Sequence, residues 1–314
     1  MHPRARRWFA QQTTAAGDWP VERLRAAKDL TVVSVVLPAL NEERTIGTIV
    51  EGIGKLAERT SLVDEIVVLD SGSTDRTAEV ARQAGASVFH RDDVLADHGS
   101  RPGKGEALWK ALYVTHGDVI VYVDADLLDF GEHYITGLLG PLLTDPETLL
   151  VKAFYDRPLL DVSLTGGGRV TELMARPLLC AFFPELAGVV QPLAGEYAAR
   201  RSLLESLPFA PGYGVETGLL IDTLGKHGLG AIAQVDLGER THGHQDTAAL
   251  GRMAATILST VAARVMPDHP LWPALTQFQR EDGELRAVDS VVSAQERPPM
   301  TEVPEYRYRM KFPD

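Results

Sequence analysis

Short apolar runs alternating with helical patterns leave the first half of this 314-residue chain few ways to fold. Val32, Val33, Val35, Val36 and Leu37 form a near-continuous apolar run, as a strand covered on both faces of a parallel sheet requires. Ile66-Val67-Val68-Leu69, Ser87-Val88-Phe89 and Val119 to Val123 repeat the pattern. Between them, Asn41 can cap a helix whose apolar positions are Ile46, Ile49, Val50, Ile53 and Leu56. Ser73, Thr74 or Asp75 can cap a second helix through Ala84, and Gly105 to Thr115 reads as a third, with Leu108, Ala111 and Leu112 inward. This alternation predicts an α/β fold: a mostly parallel sheet flanked by helices.

The rest is less regular. Leu149 to Phe154 and Ile232 to Leu237 read as strands. Arg169 to Met174, Val215 to Lys226 and Thr247 to Val265 read as helices, the last with a 3.6-residue apolar stripe. Residues 1–17 are polar and predict a mobile N-terminus, and a short helix runs from Pro20 to about Lys28. Beyond Met266, prolines and charges without periodicity predict an extended tail over 267–314. The expected catalytic domain is therefore 18–266, with one half at about 31–130 and another at about 148–266.

Composition narrows the partners. A formal net charge of −12 opposes nucleic acid and anionic membranes. An anionic ligand then needs a local cluster of cations or a metal. No stretch approaches the ~20 apolar residues of a membrane helix, and no apolar segment follows Arg4, Arg6 and Arg7, which argues against a signal peptide. The single cysteine, Cys180, excludes an internal disulfide and reads as a buried filler. Together these features point to the cytoplasm.

Asp124-Ala125-Asp126 closes the fourth apolar run. Ligands of open α/β sheets bind outside the carboxyl ends of the strands, and carboxylates spaced i, i+2 in a turn can face one ligand. Such oxygens suit Mg²⁺ or Mn²⁺ bridging protein and diphosphate; a solvated strand end is the plain alternative. Pro38-Ala39-Leu40-Asn41-Glu42-Glu43 and Asp70-Ser71-Gly72-Ser73-Thr74-Asp75 follow the first two strands and so share that edge. Glu42 or Asp70 can accept from uracil or ribose, and Gly72 permits close backbone approach.

Arg101-Pro102-Gly103-Lys104-Gly105-Glu106 opens a helix, where backbone N–H groups, the helix dipole and Lys104 suit a phosphate. The G-x-x-x-x-G-K-[ST] spacing is absent. Gly166-Gly167-Gly168-Arg169-Val170-Thr171 repeats the design and suits a second phosphate or a carboxylate; a loop ending in a helix cap is the alternative. Arg240-Thr241-His242-Gly243-His244 follows the Ile232–Leu237 strand, and His242 can complete an octahedral shell begun by Asp126. The H-x-H spacing lacks third and fourth zinc ligands nearby. Tyr213-Gly214-Val215-Glu216 puts a carboxylate at a helix start, to act on an acceptor hydroxyl or favour the helix dipole.

In order along residues 20–270, V-V-L-P-A-L-N-E-E, D-S-G-S-T-D, R-P-G-K-G-E-A-L-W, D-A-D, G-G-G-R-V-T-E-L, G-E-Y-A-A-R and P-F-A-P-G-Y-G-V-E resemble the actinobacterial glucosyl-3-phosphoglycerate synthases. The early motifs are shared with most family-A transferases, polyprenyl-phosphate sugar transferases included; the later ones are more specific. The resemblance implies a GT-A nucleotide-diphospho-sugar transferase fold and a homodimer. It implies transfer of glucose from UDP-glucose to the 2-hydroxyl of 3-phosphoglycerate with retention, the first step toward methylglucose lipopolysaccharide. By position, Pro38, Ala39, Leu40, Glu42, Ser71 and Lys104 hold UDP, beside Asp124 and Ala125. Asp126 and His242 bind Mg²⁺ or Mn²⁺. Gly167, Gly168, Arg169, Thr171 and His244 hold the acceptor, and Tyr213, Glu216 and Arg240 line the sugar and acceptor pocket. The chemistry then falls to Glu216, Asp124 and Lys104. Ala125 stands where the family has serine and His244 where it has asparagine. A mannosyl-3-phosphoglycerate synthase, or dual hexose specificity with a GDP-sugar, is the alternative, and an inactive nucleotide-sugar-binding regulator is the remote one.

Overall fold

The computed structural model describes residues 1–159, 162–164, 168–240, 246–269, 271–281, 283–292 and 295–311. The four apolar runs become β2 (Val33–Ala39), β3 (Glu65–Asp70), β4 (Ser87–His90) and β5 (Val119–Tyr122). The short helix α2 (Val21–Lys28) precedes β2, and the helices between the strands are α3 (Ile46–Thr60), α4 (Thr77–Gln83) and α5 (Lys104–Val114). β6 (Leu150–Leu159), β7 (Val162–Leu164), β8 (Tyr197–Arg200) and β9 (Ile232–Glu239) extend the sheet, and α6 (His133–Thr144), α7 (Arg176–Phe182), α8 (Arg201–Leu204), α9 (Val215–His227) and α10 (Thr247–Val265) flank it or follow it.

With the N-terminal strand β1 (Thr13–Ala15) at one edge, the sheet runs β1-β9-β6-β8-β5-β2-β3-β4, with β7 paired to β6. β5–β2–β3–β4 are mutually parallel, as buried runs joined by helices require. β8 is antiparallel to both β5 and β6, so one reversed strand joins two parallel blocks. Separate apolar cores fill the two faces, one around Leu108, Trp109, Tyr122 and Leu220, the other around Val35, Ile49, Val121 and Leu138.

Four expectations need correction. The N-terminal residues form α1 (Pro3–Gln12) and the edge strand β1 (Thr13–Ala15), which pairs with β9. Trp8 is the anchor: its ring is buried and its indole N–H donates to Ile232 O at 2.7 Å. The region beyond Met266 carries an antiparallel hairpin, β10 (Ala274–Glu281) with β11 (Glu284–Val291), and a helix, α11 (Pro304–Lys311). Cys180 is exposed, on the outer side of α7. Asn41 does not cap α3, which begins at Ile46. At φ +59° it is left-handed, and its carboxamide accepts from Thr74 N at 2.8 Å, tying the two loops together.

α10 is long and apolar enough to cross a membrane by length and composition, although its run is interrupted by charge. Arg264 near its end pairs with Asp222 and Glu296, and Ile257 and Val261 pack inward.

Candidate active site

The carboxyl ends of β2, β3 and β5 bring their loops together, as parallel strands must. Ser71 N donates to Ala39 O at 2.9 Å, and Thr45 Oγ1 donates to Ala125 O at 2.6 Å. These contacts place Pro38, Ala39, Leu40, Glu42 and Ser71 around Asp124-Ala125-Asp126. Leu40 is exposed at the rim.

Asp124 is the hub. Lys104, first residue of α5, places Nζ 2.5 Å from its Oδ1 and 3.2 Å from Glu216 Oε1 at the start of α9. Arg240, just beyond β9, lies 3.6 Å from Asp124 Oδ2 and donates to Asp126 Oδ1 at 2.8 Å. Gly195 packs directly on the Asp124 carboxylate, where a Cβ would collide with both oxygens. Burial by itself would raise the Asp124 pKa, but Lys104 and Arg240 outweigh it and hold the carboxyl at about 2. Burial opposes the Lys104 charge, and Asp124 and Glu216 reverse that and raise the ammonium above its ordinary value. Both stay ionised through the neutral range.

A deeper layer escaped sequence reasoning. Arg240 is itself buried and donates to Glu196 Oε1 at 2.8 Å and to the Tyr155 hydroxyl at 2.6 Å; Tyr155 donates on to Glu196 Oε2 at 3.0 Å. Lys152, fully buried on β6, donates to Ala194 O at 2.5 Å and sits 4.5 Å from the Tyr197 ring centroid. Burial lowers its pKa to about 8. A lysine inside the apolar run of Leu149 to Phe154 was the visible signal, since a buried strand admits a charge only with partners.

The donor set fits a divalent metal. Five carboxylates, Glu42, Asp124, Asp126, Glu196 and Glu216, face three cations, Lys104, Lys152 and Arg240. Burial and then the neighbouring Asp126 raise the Glu42 carboxyl, so negative charge accumulates where the Asp126 side chain is 52% exposed. Oxygen donors with excess negative charge are what Mg²⁺ and Mn²⁺ take. Among the described residues no group of three His, Cys, Asp or Glu side chains closes on an ion by itself. His242, His244 and Gly167 lie outside the described residues. Gly168 and Arg169 lead into a π turn, Thr171–Ala175, in which Thr171 is buried and which packs on α10. Tyr213 is exposed on the loop before α9.

The Glycosyl transferase family 2 model matches residues 34–169, and the sheet with its carboxylate edge is that of a GT-A glycosyltransferase. The glucosyl-3-phosphoglycerate synthase of Mycolicibacterium paratuberculosis is 48% identical over 303 residues, spanning 93% of this chain and 91% of that one. The crystal structure of the Mycobacterium tuberculosis glucosyl-3-phosphoglycerate synthase with Mn²⁺, UDP and phosphoglyceric acid matches at a TM-score of 0.83 and 48% identity, over 90% of this chain and 95% of that one. The mannosyl-3-phosphoglycerate synthase of Rubrobacter xylanophilus matches at a TM-score of 0.89 and 43% identity, over 95% and 98%. This chain belongs to the glucosyl-3-phosphoglycerate synthase family.

Proposed function

We propose that this chain transfers glucose from UDP-glucose to the 2-hydroxyl of 3-phosphoglycerate with a divalent metal. The observation that carries it is Asp124 and Asp126 at the carboxyl end of β5, bracketed by Lys104 and Arg240. With carboxylates outnumbering cations, a diphosphate binds here only once a dication offsets them. Asp126 and His242 are the proposed metal ligands. When bound, Mg²⁺ or Mn²⁺ supplies charge neutralisation for the departing diphosphate.

Lys104 then has two tasks. It holds Asp124 ionised, and at the positive end of α5 it faces the charge that grows on UDP as the glycosidic bond breaks. Glu216, buried and tied to Lys104, orients the sugar or the acceptor hydroxyl. Gly167, Gly168, Arg169, Thr171 and His244 form the proposed acceptor site, where backbone N–H groups and a guanidinium fork suit a phosphate. Transfer with retention then follows a front-face path in which the acceptor hydroxyl proton passes to the leaving diphosphate. The product feeds the route to methylglucose lipopolysaccharide.

The likeness to the R. xylanophilus enzyme supports a second reading, mannose from a GDP-sugar. Measuring nucleoside-diphosphate release from UDP-glucose, GDP-glucose and GDP-mannose, with and without 3-phosphoglycerate and metal, separates the two. Release that ignores 3-phosphoglycerate sinks both.

A homodimer and a cytoplasmic setting complete the reading. The β10–β11 ribbon exposes Phe278 and Val291 and follows the exposed Trp272, and a lone two-stranded ribbon is marginal in water; a second copy can cover it. The exposed free thiol of Cys180 suits a reducing compartment.

A further inference from the structure

The C-terminal segment between the hairpin and α11 crosses the outside of α5, and one of its side chains is buried. Arg297 is 6% exposed, and its guanidinium carbon lies over the Trp109 ring, 4.9 Å from the centroid. Its guanidinium forks onto Glu106, Nε to Oε2 and Nη2 to Oε1, both at 2.7 Å. The same group donates to His98 O at 2.9 Å and to Gly99 O at 3.0 Å. Its backbone exchanges two hydrogen bonds with Phe209, at 2.9 and 3.0 Å.

These partners sit at the roots of two loops. His98 and Gly99 begin the loop that ends at Lys104, and Phe209 begins the one that leads to Tyr213 and Glu216. The loops touch at their tips, where a Cβ on Gly103 would lie 2.7 Å from Gly212 Cα. Gly103 and Gly212 both hold positive φ, +99° and +53°, so contact and conformation together exclude a side chain at Gly103, and conformation disfavours one at Gly212. Further bonds tie the first loop down. Arg101 Nη1 donates to Gln295 O at 2.8 Å and Glu296 O at 2.9 Å, and Lys110 Nζ donates to Ser100 Oγ at 2.9 Å while lying 3.5 Å from Glu106.

We propose that Arg297 is a positioning residue for the donor site: it fixes the 98–103 loop against the 209–214 loop and so sets where Lys104 and Glu216 meet the diphosphate sugar. The proposal rests on the donor reading of Lys104. Burying Arg297, Glu106 and Lys110 together costs desolvation that a packed apolar cluster would avoid. What the guanidinium adds is geometry, since only a planar fork spans one carboxylate and two carbonyls at once. Lysine keeps the charge and loses the span. A small displacement of a binding group is enough to weaken catalysis by an order of magnitude or more.

Arg297→Lys tests this in the full chain. We expect the UDP-glucose KM to rise about tenfold, UDP affinity by calorimetry to fall in step, and the 3-phosphoglycerate KM at saturating donor to stay within about twofold. Arg101→Ala removes only the two bonds to the segment's carbonyls and should move donor KM the same way, about threefold, at an unchanged Tm. If Arg297→Lys does not fold, Arg101→Ala decides alone. A lower Tm with both KM values unchanged, or an equal rise in both, overturns the positioning role. Lys104→Ala separates the layers. If it leaves donor affinity intact, the donor reading fails. If it weakens the donor while Arg297→Lys and Arg101→Ala do not, the donor reading stands and the inference falls.

Discussion

Lys104, Asp124 and Asp126 reach the site from a helix start and a strand end in the half of the chain where strand and helix alternate regularly. Arg240, Glu196 and Tyr155 reach it from the half where β8 runs backwards and loops are long. In the first half the backbone does the placing: a residue at the carboxyl end of β5 faces the ligand edge whatever its neighbours are. In the second half side chains place one another. Arg240 stands where it does because Glu196, Tyr155 and Asp126 share its N–H groups. The first kind of site should tolerate substitution as a fold and fail as an enzyme. The second should fail as both.

The sharpest break in that contrast is Asp126→Ala. We expect turnover to fall by at least about 100-fold with the Tm near that of the parent chain, read by UDP release and thermal melts. EDTA should inhibit the parent, and Mg²⁺ or Mn²⁺ should restore it. Near-normal turnover would remove the metal assignment.

Arg240→Met should show the opposite signature. Deleting one member of a buried charge network costs about 3–5 kcal/mol, because Glu196 is left in the interior without its cation. Chemical denaturation should register that loss alongside lost activity. A variant as stable as the parent would show that the second half is also placed by its backbone.

Arg169→Lys probes the proposed acceptor loop. Each charge-assisted bond to a phosphate is worth roughly 1.5–3 kcal/mol, and lysine cannot reproduce a bidentate fork. The 3-phosphoglycerate KM should rise about tenfold while donor affinity in the absence of acceptor barely moves. An unchanged preference for 3-phosphoglycerate over glycerate would move phosphate recognition to another group.

The smallest effect is one of slope. Burial lowers Lys152 to about 8 from an ordinary 10.5, so across that window the unfolded chain holds a proton the folded chain has released. Stability should therefore climb as pH rises from 8 to 10.5. Lys152→Met should flatten the climb, as followed by urea melts at several pH values. Equal slopes in the two proteins would mean that Lys152 keeps its proton in the fold.

Much of this was legible beforehand. The apolar runs, the helical stripes and the loops at the strand ends led directly to β2–β5 and to Asp124, Asp126 and Lys104, because a strand's covering and its polarity are written in consecutive residues. The helix read as Arg169 to Met174 runs on through α7 to Phe182, and α6 had no counterpart in the sequence reading. The other helix boundaries were legible to within a residue or two, except at Asn41. There the competing partner was Thr74, on a loop more than thirty positions away. Where local pattern is absent, as before residue 18 and after Met266, the sequence suggested irregular chain. The helix, edge strand and hairpin found there form from contacts with distant segments, such as the Trp8 indole on β9.

The sequence by itself determined the α/β fold, the carboxylate edge and the class of chemistry, because those follow from periodicity and from motifs of adjacent residues. Only the tertiary structure decided that Arg240 is ion-paired beneath the site rather than simply lining it. Only the tertiary structure brought Lys152, Glu196 and Tyr155 under Asp124, and ran the C-terminal segment across α5 to place Arg297 on Glu106. The physical reason is common to all of these. A buried charge is stable only with its partners, and those partners lie on strands and loops that the chain visits tens to hundreds of residues apart.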